Sequence, residues 1–488
     1  MPDAAVARYL RSQDLLAETP GGWGWVVLGG ANSDPGAALR RNYWPLVRIL
    51  LSRYAPAAID RISAVRLHVG ESHLLPVLFI VQGANASRRT VEVVPGLSVE
   101  IRQNPDLTLE QVTEVTAGGV PIPVLSPART LLSLTVGDVR DNRDLVLAWL
   151  RSLVVARPDL EAAYAAAPRH VLLARIGHLA ADIGNRRLAT QIGELLAAEH
   201  RNPVSRTHTR VGGEIVIPPY IISQPSLREP WADRFRARLA RAAEVAGPIT
   251  REAEIPPLSR SQVLSRARRA KLEDTYHSTT IEGYRITRDD VRAVEEGVQQ
   301  RGKSPEEIER LMALQGYAQA FERTLELIGD AEVPAGARIS EGDLLDLHLE
   351  LWSPSIDAGI LSASDLRGWR RDPVYIRGSD HVPPSPAKLP TLMRVLVDDL
   401  NGLEAGPIVR AVVAHWGFVH LHPFMDGNGR VSRLLMNWVL GAGGIPWTTI
   451  RAEERDRYFG ALETAHIRED YAPFAEFIRD CVVRAAAG

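Results

Sequence analysis

The stretch HPFMDGNGRVSR, residues 422–433, places side chains of several reactive types within twelve positions. His422 can take a proton from a hydroxyl group near neutral pH, and Asp426 offers a hard oxygen ligand of the kind that Mg²⁺ prefers. Arg430 and Arg433 lie three residues apart, so on a helix their forked guanidinium groups share one face and can contact phosphate oxygens. The stretch therefore predicts a nucleotide-phosphate site that carries its own general base.

Two predicted helices position this stretch. Residues 407–421 begin with Pro407, which suits the first turn of a helix, and are apolar nearly all round, which indicates a buried central helix. Pro423 ends this helix, and a turn then opens a second one, RVSRLLMNWVL. Backbone N–H groups at the N-terminus of the second helix attract anions, and Gly427 and Gly429 let a phosphate approach without a Cβ in the way.

Three other patterns compete for a catalytic role. The histidines at 415, 420 and 422 raise the idea of zinc, but no cysteine and no carboxylate at helical spacing accompany them. Residues 297–304, GVQQRGKS, fit the Walker A expression, yet a charged helical pattern precedes them instead of an apolar strand. Residues 385–388, SPAK, fit a serine–lysine hydrolase pattern without its companion motifs. We retain none of the three.

HPFMDGNGRVSR matches the Fic family motif, H-x-F-x-[D/E]-G-N-G-R-x-x-R, at every fixed position. On this motif the chain resembles the Fic proteins that transfer AMP, and the resemblance covers roughly residues 255–486. It implies that His422 deprotonates a target hydroxyl, which attacks the α-phosphate of ATP while pyrophosphate leaves. It also implies that Asp426 holds Mg²⁺ and that Arg430 and Arg433 grip the β- and γ-phosphates. The remaining implied roles are phosphate binding by Asn428 with the amides of Gly427 and Gly429, and anchoring of the loop by Phe424.

The stretch HSTTIEGYRIT matches a second pattern of the same family. Ser278, Glu282 and Gly283 fit the Fic inhibitory motif [S/T]-x-x-x-E-[G/N] upstream of the core. The resemblance implies that Glu282 pairs with Arg433 and so removes the arginine that holds the γ-phosphate. ATP would then bind with its α-phosphate misplaced, and a small misplacement can cost about 10²-fold in rate. The letters TTIE also fit the capping box that starts a helix, and this alternative stays open here.

The run RGWRRDPVYIRGSDHVPPSPAKLP, residues 367–390, interrupts the helical pattern. A short β-patterned segment meets turn residues and then prolines, which predicts a hairpin followed by an extended return. By the resemblance, residues 374–384 are the Fic flap, which aligns the backbone of a target in the manner of strand addition. The predicted flap residues are Val374, Tyr375 and Ile376.

Composition sets broad bounds on the protein class. A chain of 488 residues is expected to form two or three hydrophobic cores, and 45% apolar with 24% charged residues are ordinary globular values. A net charge of −2 gives no overall attraction to nucleic acid or membrane. A single cysteine, Cys481, excludes an internal disulfide and suits a reducing cytosol. No signal peptide or membrane-spanning stretch is recognised, so we expect a cytoplasmic protein with no membrane partner.

The pattern of elements divides the chain into three parts. Residues 1–222 mix helical and strand patterns and predict an α/β module. Residues 228–330 are nearly all helical and carry the inhibitory motif, and residues 331–488 are the predicted Fic catalytic core. The predicted fold class is therefore multi-domain, with an α/β N-terminal domain followed by an all-α Fic fold that bears a β-hairpin flap.

The first 220 residues carry no catalytic constellation, but roughly residues 1–200 show a second, looser resemblance. RYAPAAIDRISAVRLH and VLSPARTLLSL loosely resemble the antitoxin proteins of abortive-infection systems, which pair a winged-helix start with an α/β body. The resemblance implies DNA binding or partner recognition, and the alternative is a structural domain whose arginines are solvated. The basic segment HRNPVSRTHTR, residues 200–210, is a further candidate for contact with nucleic acid.

We therefore predict a protein adenylyltransferase that uses ATP and Mg²⁺, is held inactive by Glu282, and modifies Ser, Thr or Tyr hydroxyls. Its expected partners are target proteins and a second copy of the chain. Three alternatives stay open: a hydrolase that removes AMP with the help of Glu282, a DNA-bound regulator whose Fic core senses ATP, and an enzyme that transfers another phosphate-linked group. His422→Ala is expected to abolish transfer while leaving the fold intact.

Overall fold

The computed structural model describes residues 10, 12–13, 15–28, 34–83, 89–199, 229–251, 253, 255–296, 304–331 and 336–487. The chain forms two compact units: Met1–Ala237 with Tyr375–Ser385, and Arg238–Val374 with Pro386–Gly488. The boundary predicted between residues 222 and 228 lies outside the described residues, and so do the basic segment 200–210 and residues 297–303 of the Walker A look-alike. The three-part division of the chain stays a prediction.

A mixed β-sheet organises the first unit. Its strands are β3 (Ala57–Ile59), β4 (Val77–Gln82), β5 (Arg89–Val94), β6 (Leu97–Gln103), β7 (Val112–Ala117) and β8 (Val120–Leu125), and a separate pair consists of β1 (Leu16–Glu18) and β2 (Trp25–Val27). The order of the six-stranded sheet is β5-β6-β4-β3-β8-β7. β4 pairs parallel with β6 and β3 parallel with β8, whereas the other neighbours are antiparallel. β4 lies within the segment LPVLFIVQG, and β5 and β6 lie within RRTVEVVPGLSVEIRQ.

Helices and two hydrophobic clusters complete this unit. The helices are α1 (Pro35–Arg41), α2 (Tyr43–Arg53), α3 (Arg61–His68), α4 (Pro127–Ser133), α5 (Val136–Asp141), α6 (Arg143–Ser152), α7 (Arg157–Ala166), α8 (His170–Asp182) and α9 (Arg186–Glu199). Ile80 belongs to the cluster that contains Trp44 of α2, and Phe79 packs against the cluster that contains Trp149 of α6. Neighbouring residues of β4 thus reach different clusters, as the two-residue period of a strand requires. An α/β N-terminal module was predicted, and it is confirmed.

The segment Tyr375–Ser385 is part of the first unit. The Tyr375 hydroxyl donates a 2.9 Å hydrogen bond to the carbonyl of Gly118, and the Leu74 N–H donates one of 2.8 Å to the carbonyl of Asp380. Val382 is 7% exposed and belongs to the cluster of Trp44. This part of the predicted flap is therefore integrated into the core of the N-terminal unit.

The conformation of this segment matches the predicted hairpin in its turn. The Ser379 N–H donates a 3.2 Å hydrogen bond to the Ile376 carbonyl, and Gly378 has φ 77°, a value that suits glycine. Neither arm of residues 371–385 is a β-strand in the described structure. The turn was predicted correctly, but the predicted hairpin forms no strand ladder in these residues.

The regular secondary structure in the described residues of the second unit is all helical. The helices are α10 (Pro230–Arg251, whose first turns belong to the first unit), α11 (Arg260–Ile281), α12 (Arg288–Glu295), α13 (Pro305–Asp330), α14 (Glu341–Asp357), α15 (Ala363–Leu366), α16 (Leu389–Gly402), α17 (Pro407–Leu421), α18 (Asn428–Ala442), α19 (Arg455–Arg468) and α20 (Ala472–Ala487). Nearly every residue of α17 and α18 is buried. These two helices are the predicted central pair, and α18 packs against α11, α13 and α14.

No helix in the described parts of the chain combines the length and the apolar character needed to cross a membrane.

Candidate active site

The loop between α17 and α18 begins and ends with residues of left-handed backbone conformation. His422, with φ 48° and ψ 59°, caps α17, and Gly427, with φ 87°, precedes the first residue of α18. The Asp426 carboxylate accepts a 2.6 Å hydrogen bond from the Gly427 N–H. The first N–H groups of α18 lack partners within the helix, so this terminus can bind an anion, as predicted for the twelve-residue stretch.

Asn428 holds the loop in shape. Its side-chain amide accepts a 2.9 Å hydrogen bond from the Phe424 N–H and donates one of 2.9 Å to the Phe424 carbonyl. Asn428 is 2% exposed and Phe424 is 1% exposed. The predicted anchoring role of Phe424 agrees with this burial. The predicted role of Asn428 in phosphate binding stays a prediction, and its side chain bonds to the backbone of Phe424 in this structure.

His348 of α14 supports the same loop from a distant part of the chain. Its ring stacks on Phe424 with a centroid distance of 3.6 Å, and its Nε2 lies 3.0 Å from the carbonyl oxygen of Asp426. Burial lowers the pKa of His348 to about 4, so the imidazole is neutral at physiological pH. Sequence reasoning missed this residue, because nothing in the pattern of α14 distinguishes it from an ordinary buried histidine.

His422 is suited to act as a base. Burial and the positive charge of Arg370 lower its pKa to about 4, although the Val419 carbonyl and the Glu282 carboxylate act in the opposite direction. At neutral pH the imidazole is therefore deprotonated and can accept a proton. The structure places it at the C-terminus of α17, at the start of the loop that carries Asp426.

Asp426 is the solvent-facing carboxylate of the loop. Its side chain is 61% exposed, and its second carboxylate oxygen lies 3.4 Å from the guanidinium of Arg430. Mg²⁺ in nucleotide sites takes one or two carboxylates together with substrate phosphates, so an exposed carboxylate beside a helix N-terminus fits this ion. The chemistry of the donor set agrees with the predicted ligand.

Arg430 is enclosed by aromatic rings. It is 1% exposed, and its guanidinium lies 5.2 Å from the ring centre of Trp352 and 5.8 Å from that of Tyr284. Cation–π contacts at such distances attract the guanidinium to the rings and restrict its position. The guanidinium is thereby held in one place before any nucleotide binds.

Arg433 is occupied by the end of α11. Its Nη2 donates a 2.6 Å hydrogen bond to Glu282 Oε1, its Nε donates one of 2.7 Å to the Ser278 hydroxyl, and Nη2 also reaches the Ser278 carbonyl at 3.0 Å. Arg433 is 3% exposed. The pairing that the sequence predicted for Glu282 and Arg433 is therefore present in the structure.

The capping-box alternative for TTIE is wrong. Helix α11 runs to Ile281, and Glu282 is its C-terminal cap, so these letters end a helix instead of starting one. Gly283 follows with φ 99°, a conformation that favours glycine at a helix end. Because α11 stops at this point, the Glu282 side chain is delivered to the N-terminal end of α18.

The Glu282 carboxylate is ionised in this position. Desolvation alone would raise its pKa, but the charges of Arg433 and Arg430 and the hydrogen bond from Arg433 bring the pKa below its ordinary value. A Cβ atom at position 429 would collide with the Glu282 carboxylate, so Gly429 allows the close approach. The carboxylate therefore lies at the helix terminus where an anionic ligand would bind.

A buried polar group anchors α11 two turns before Glu282. Asp274 accepts a 2.7 Å hydrogen bond from the Tyr317 hydroxyl of α13 and one of 2.9 Å from the Thr449 hydroxyl. Asp274, Ser278 and Glu282 are spaced by four residues and thus share one face of the helix. This face of α11 points at the site along its last two turns.

The histidines considered for zinc have separate partners. His415 Nε2 lies 2.7 Å from the Tyr458 hydroxyl, and His420 Nδ1 lies 3.2 Å from His466 Nδ1. Among the described residues, His415 and His422 are not part of a group that could hold a metal ion. Of the predicted flap residues, Val374 belongs to the second unit, whereas Tyr375 and Ile376 belong to the first.

Comparison with known proteins gives a family match over a part of the chain that includes residues 422–433. Residues 338–440 match the Fic/DOC family. The protein adenylyltransferase Fic of Aedes aegypti is 34% identical over 229 residues, which are 46% of this chain and 43% of that protein. The protein adenylyltransferase Fic of Drosophila willistoni is 35% identical over 225 residues, which are 44% and 42% of the two chains. The matched part thus spans less than half the length of these relatives.

Solved structures of Fic proteins are also similar. Fic-1 from C. elegans is 20% identical, with 71% of this chain and 97% of that chain covered and a TM-score of 0.39. A Fic family protein from Desulfovibrio desulfuricans is 26% identical, with 51% and 73% covered and a TM-score of 0.37. Residues 338–440 thus match the Fic/DOC family, and the two adenylyltransferase relatives are similar to this chain over less than half of their own length.

Proposed function

We propose that the protein transfers AMP from ATP to a Ser, Thr or Tyr hydroxyl of a target protein, and that Glu282 holds this activity in check. The observation that supports the proposal most directly is the position of His422, a neutral imidazole, at the start of the loop that opens the N-terminus of α18. Relatives named protein adenylyltransferase add to it.

The reaction follows from the roles of these groups. His422 takes the proton of the target hydroxyl while the hydroxyl oxygen forms a bond to the α-phosphorus of ATP. The bond between the α-phosphorus and the oxygen that bridges to the β-phosphate breaks, and pyrophosphate leaves with the electron pair. Arg430 and the N–H groups of the first turn of α18 stabilise the negative charge that develops on the phosphate oxygens.

Magnesium fits this site through Asp426, whose carboxylate is exposed to solvent beside the phosphate-binding terminus. When bound, the ion neutralises phosphate charge and orients the leaving pyrophosphate. Arg430 lies 3.4 Å from the same carboxylate, so it balances the charge of Asp426 when the ion is absent.

Inhibition follows from competition for Arg433. The γ-phosphate of a productively bound ATP needs a guanidinium partner, and the Nε and Nη2 atoms of Arg433 already donate to Ser278 and Glu282. A nucleotide that binds without this partner has its α-phosphate displaced from the line of attack, which can cost about 10²-fold in rate. Removal of the Glu282 carboxylate therefore activates the enzyme.

The partners and location of the protein follow from the same reasoning. Target proteins present the hydroxyl, and a second copy of the chain is one such target. The single cysteine, which is buried, suits the cytoplasm. The α/β unit at residues 1–222 selects targets or binds DNA, and DNA retention that weakens steeply with salt would be the evidence for the second role.

The test is self-labelling with ATP radioactive at the α-phosphate in the presence of Mg²⁺. We compare the native protein, Glu282→Gly, and Glu282→Gly combined with His422→Ala. Glu296→Gly is a matched control, because Glu296 is an exposed glutamate that caps the C-terminus of the neighbouring helix α12. His178→Ala is the control for loss of a histidine, because His178 is exposed in the first unit.

Strong labelling only in Glu282→Gly supports transfer, inhibition and the base together. Labelling that persists without His422 overturns the assignment of the base. The hydrolase replaces the proposal if two results are found together. No variant becomes labelled, and AMP is removed from a pre-modified protein only when Glu282 is present. Labelling from another nucleotide in a panel of donors would show that the donor is not ATP.

A further inference from the structure

Residues 369–370 of the second unit lie along the first half of the loop between α17 and α18, which is called the catalytic loop below. The Trp369 ring contacts the Phe424 ring at a centroid distance of 5.5 Å. The Arg370 N–H donates a 2.8 Å hydrogen bond to the Pro423 carbonyl, and the Arg370 Nε donates one of 2.8 Å to the His422 carbonyl. Two successive carbonyl groups of the loop are therefore bonded to one residue.

The conformation of His422 makes these contacts important. Its φ of 48° lies in the left-handed region, which costs a non-glycine residue roughly 1–2 kcal/mol. The His422 N–H donates a 2.9 Å hydrogen bond to the Phe418 carbonyl, which fixes the residue at its N-terminal side. Its C-terminal side depends on the two bonds from Arg370. With both peptide groups held, the direction of the Cα–Cβ bond is set, and so is the space that the imidazole can reach.

Arg370 is itself firmly held. It is 5% exposed, and its Nη1 donates a 2.9 Å hydrogen bond to the Asp372 carbonyl. Burial lowers its pKa to about 10, so the guanidinium still carries its charge at neutral pH. The guanidinium thus donates to the backbone carbonyls of both His422 and Asp372, which fixes their relative positions. A lysine side chain cannot reproduce this forked arrangement of donors.

We propose that Arg370 is the positioning residue of the general base: it fixes His422 in its left-handed conformation and places a fixed positive charge beside the imidazole. This inference rests on the proposed function and extends it to a residue outside the twelve-residue motif. Arg370 acts through His422 and does not itself contact the nucleotide.

Arg370 also affects the pKa of His422 through its charge. Arg370 approaches from the segment before the flap, and Glu282 approaches from the end of α11. Arg370 favours the neutral imidazole, whereas Glu282 favours the protonated form. Loss of Arg370 therefore raises the pKa of His422, and loss of Glu282 lowers it.

The test uses the full chain with Glu282→Gly as the parent. Arg370→Gln removes charge and fork, Arg370→Lys keeps the charge, and Arg371→Gln is the control, because Arg371 is an exposed arginine next to Arg370. Initial rates of AMP transfer are measured against ATP concentration and pH. We expect Arg370→Gln to lower kcat by about 10- to 100-fold with KM for ATP within about twofold, because the base is displaced while the phosphate contacts remain.

The pH dependence separates positioning from general loss of structure. In Arg370→Gln the acid limb of kcat/KM moves to higher pH, in Arg370→Lys it stays in place while kcat still falls, and Arg371→Gln behaves like the parent. Equal kcat in all four proteins overturns the proposal. A fall of kcat with an unmoved acid limb in Arg370→Gln, together with a matching fall of the melting temperature, assigns Arg370 a merely structural role.

A second measurement does not need activity. Diethyl pyrocarbonate reacts with neutral imidazole, so its rate of reaction at His422 against pH, followed on the peptide by mass spectrometry, reports the pKa of that residue. We expect a higher pKa in Arg370→Gln than in the parent, and an unchanged value overturns the proposal. If the parent does not label itself but the pKa of His422 is still higher in Arg370→Gln than in the parent, the proposed function is contradicted. The role of Arg370 toward His422 then still stands.

Discussion

Glu282 and Arg433 form an ion pair of 2.6 Å in which the two side chains differ in accessibility. The Arg433 side chain is 4% exposed, whereas the Glu282 side chain is 25% exposed. A ligand can therefore reach the carboxylate from solvent, but the guanidinium becomes available only when the carboxylate leaves. On the proposed function, the nucleotide gains access to the guanidinium when the carboxylate moves away.

Glu282→Gly is expected to lower stability and to make it depend on ATP. The substitution leaves a buried guanidinium without its carboxylate, which we expect to cost about 1–2 kcal/mol, less than for a fully buried pair because Glu282 is partly exposed. The γ-phosphate of MgATP takes the place of the carboxylate and restores this loss. Urea unfolding with and without MgATP measures the effect, and the gain from ATP should be larger in Glu282→Gly than in the native protein or in Glu296→Gly. Equal gains in the three proteins would show that Arg433 does not bind the nucleotide.

Tyr317→Phe is expected to weaken the inhibition. It removes the 2.7 Å hydrogen bond to the buried carboxylate of Asp274, a loss of about 1–3 kcal/mol. Because Asp274 lies on the same face of α11 as Glu282, a looser anchor lets the end of the helix withdraw from Arg433. Self-labelling should rise in the native background and stay unchanged in the Glu282→Gly background. A fall of labelling in both backgrounds would show that the hydrogen bond serves the catalytic core and not the inhibitory helix. Thr449→Val, which removes the other hydrogen bond to Asp274, should act in the same direction.

The parts of the site that sequence reasoning predicted are those with a local cause. Pro407, the apolar run after it and Pro423 define a buried helix, and the glycines that follow define the start of the next helix. The local sequence therefore predicts most of the geometry of residues 422–433. Glu282 lies 151 residues away from Arg433. Only the resemblance to the family motif predicted that Glu282 pairs with Arg433. The local sequence around Glu282 fitted a helix start equally well.

The residues that sequence reasoning missed act across long distances on backbone atoms. His348 reaches a carbonyl 78 residues away, and Arg370 reaches one 52 residues away. Every residue has a backbone carbonyl, so the pattern of residue types does not predict which carbonyl a distant side chain will bind. The hydrogen bonds of the Asn428 side chain are of the same kind, because they go to the backbone of Phe424. The strands expected in the flap did not form, because extended segments need a partner edge that sequence pattern cannot supply.

His348→Ala is expected to loosen the catalytic loop. The variant loses the stacking on Phe424 and the contact with the Asp426 carbonyl, for which we expect a loss of about 1–3 kcal/mol in the free energy of unfolding. Transfer by the Glu282→Gly parent should fall by about 10- to 100-fold, because the Mg²⁺ ligand and the helix terminus are no longer fixed relative to His422. Rates and urea unfolding are compared with His178→Ala in the same parent. Full activity in His348→Ala would show that Asn428 alone suffices to shape the loop.

Acid is expected to destabilise the fold through its buried neutral histidines. Burial lowers the pKa of His348 to about 4 and that of His415 to about 3, whereas an unfolded histidine has a pKa near 6.5. Between these values the unfolded chain binds more protons than the folded one. The contribution of each histidine is therefore complete above about pH 6.5, and it decreases by up to about 1.4 kcal/mol per pH unit as the pH falls toward the folded pKa. Urea unfolding at pH 7.5, 6.0 and 5.0 measures the slope. His415→Gln should make the slope shallower whatever its effect on stability at pH 7.5, and His178→Gln, at an exposed position, is the control for the substitution itself. Identical slopes in the native protein and His415→Gln would mean that His415 is protonated in the folded state.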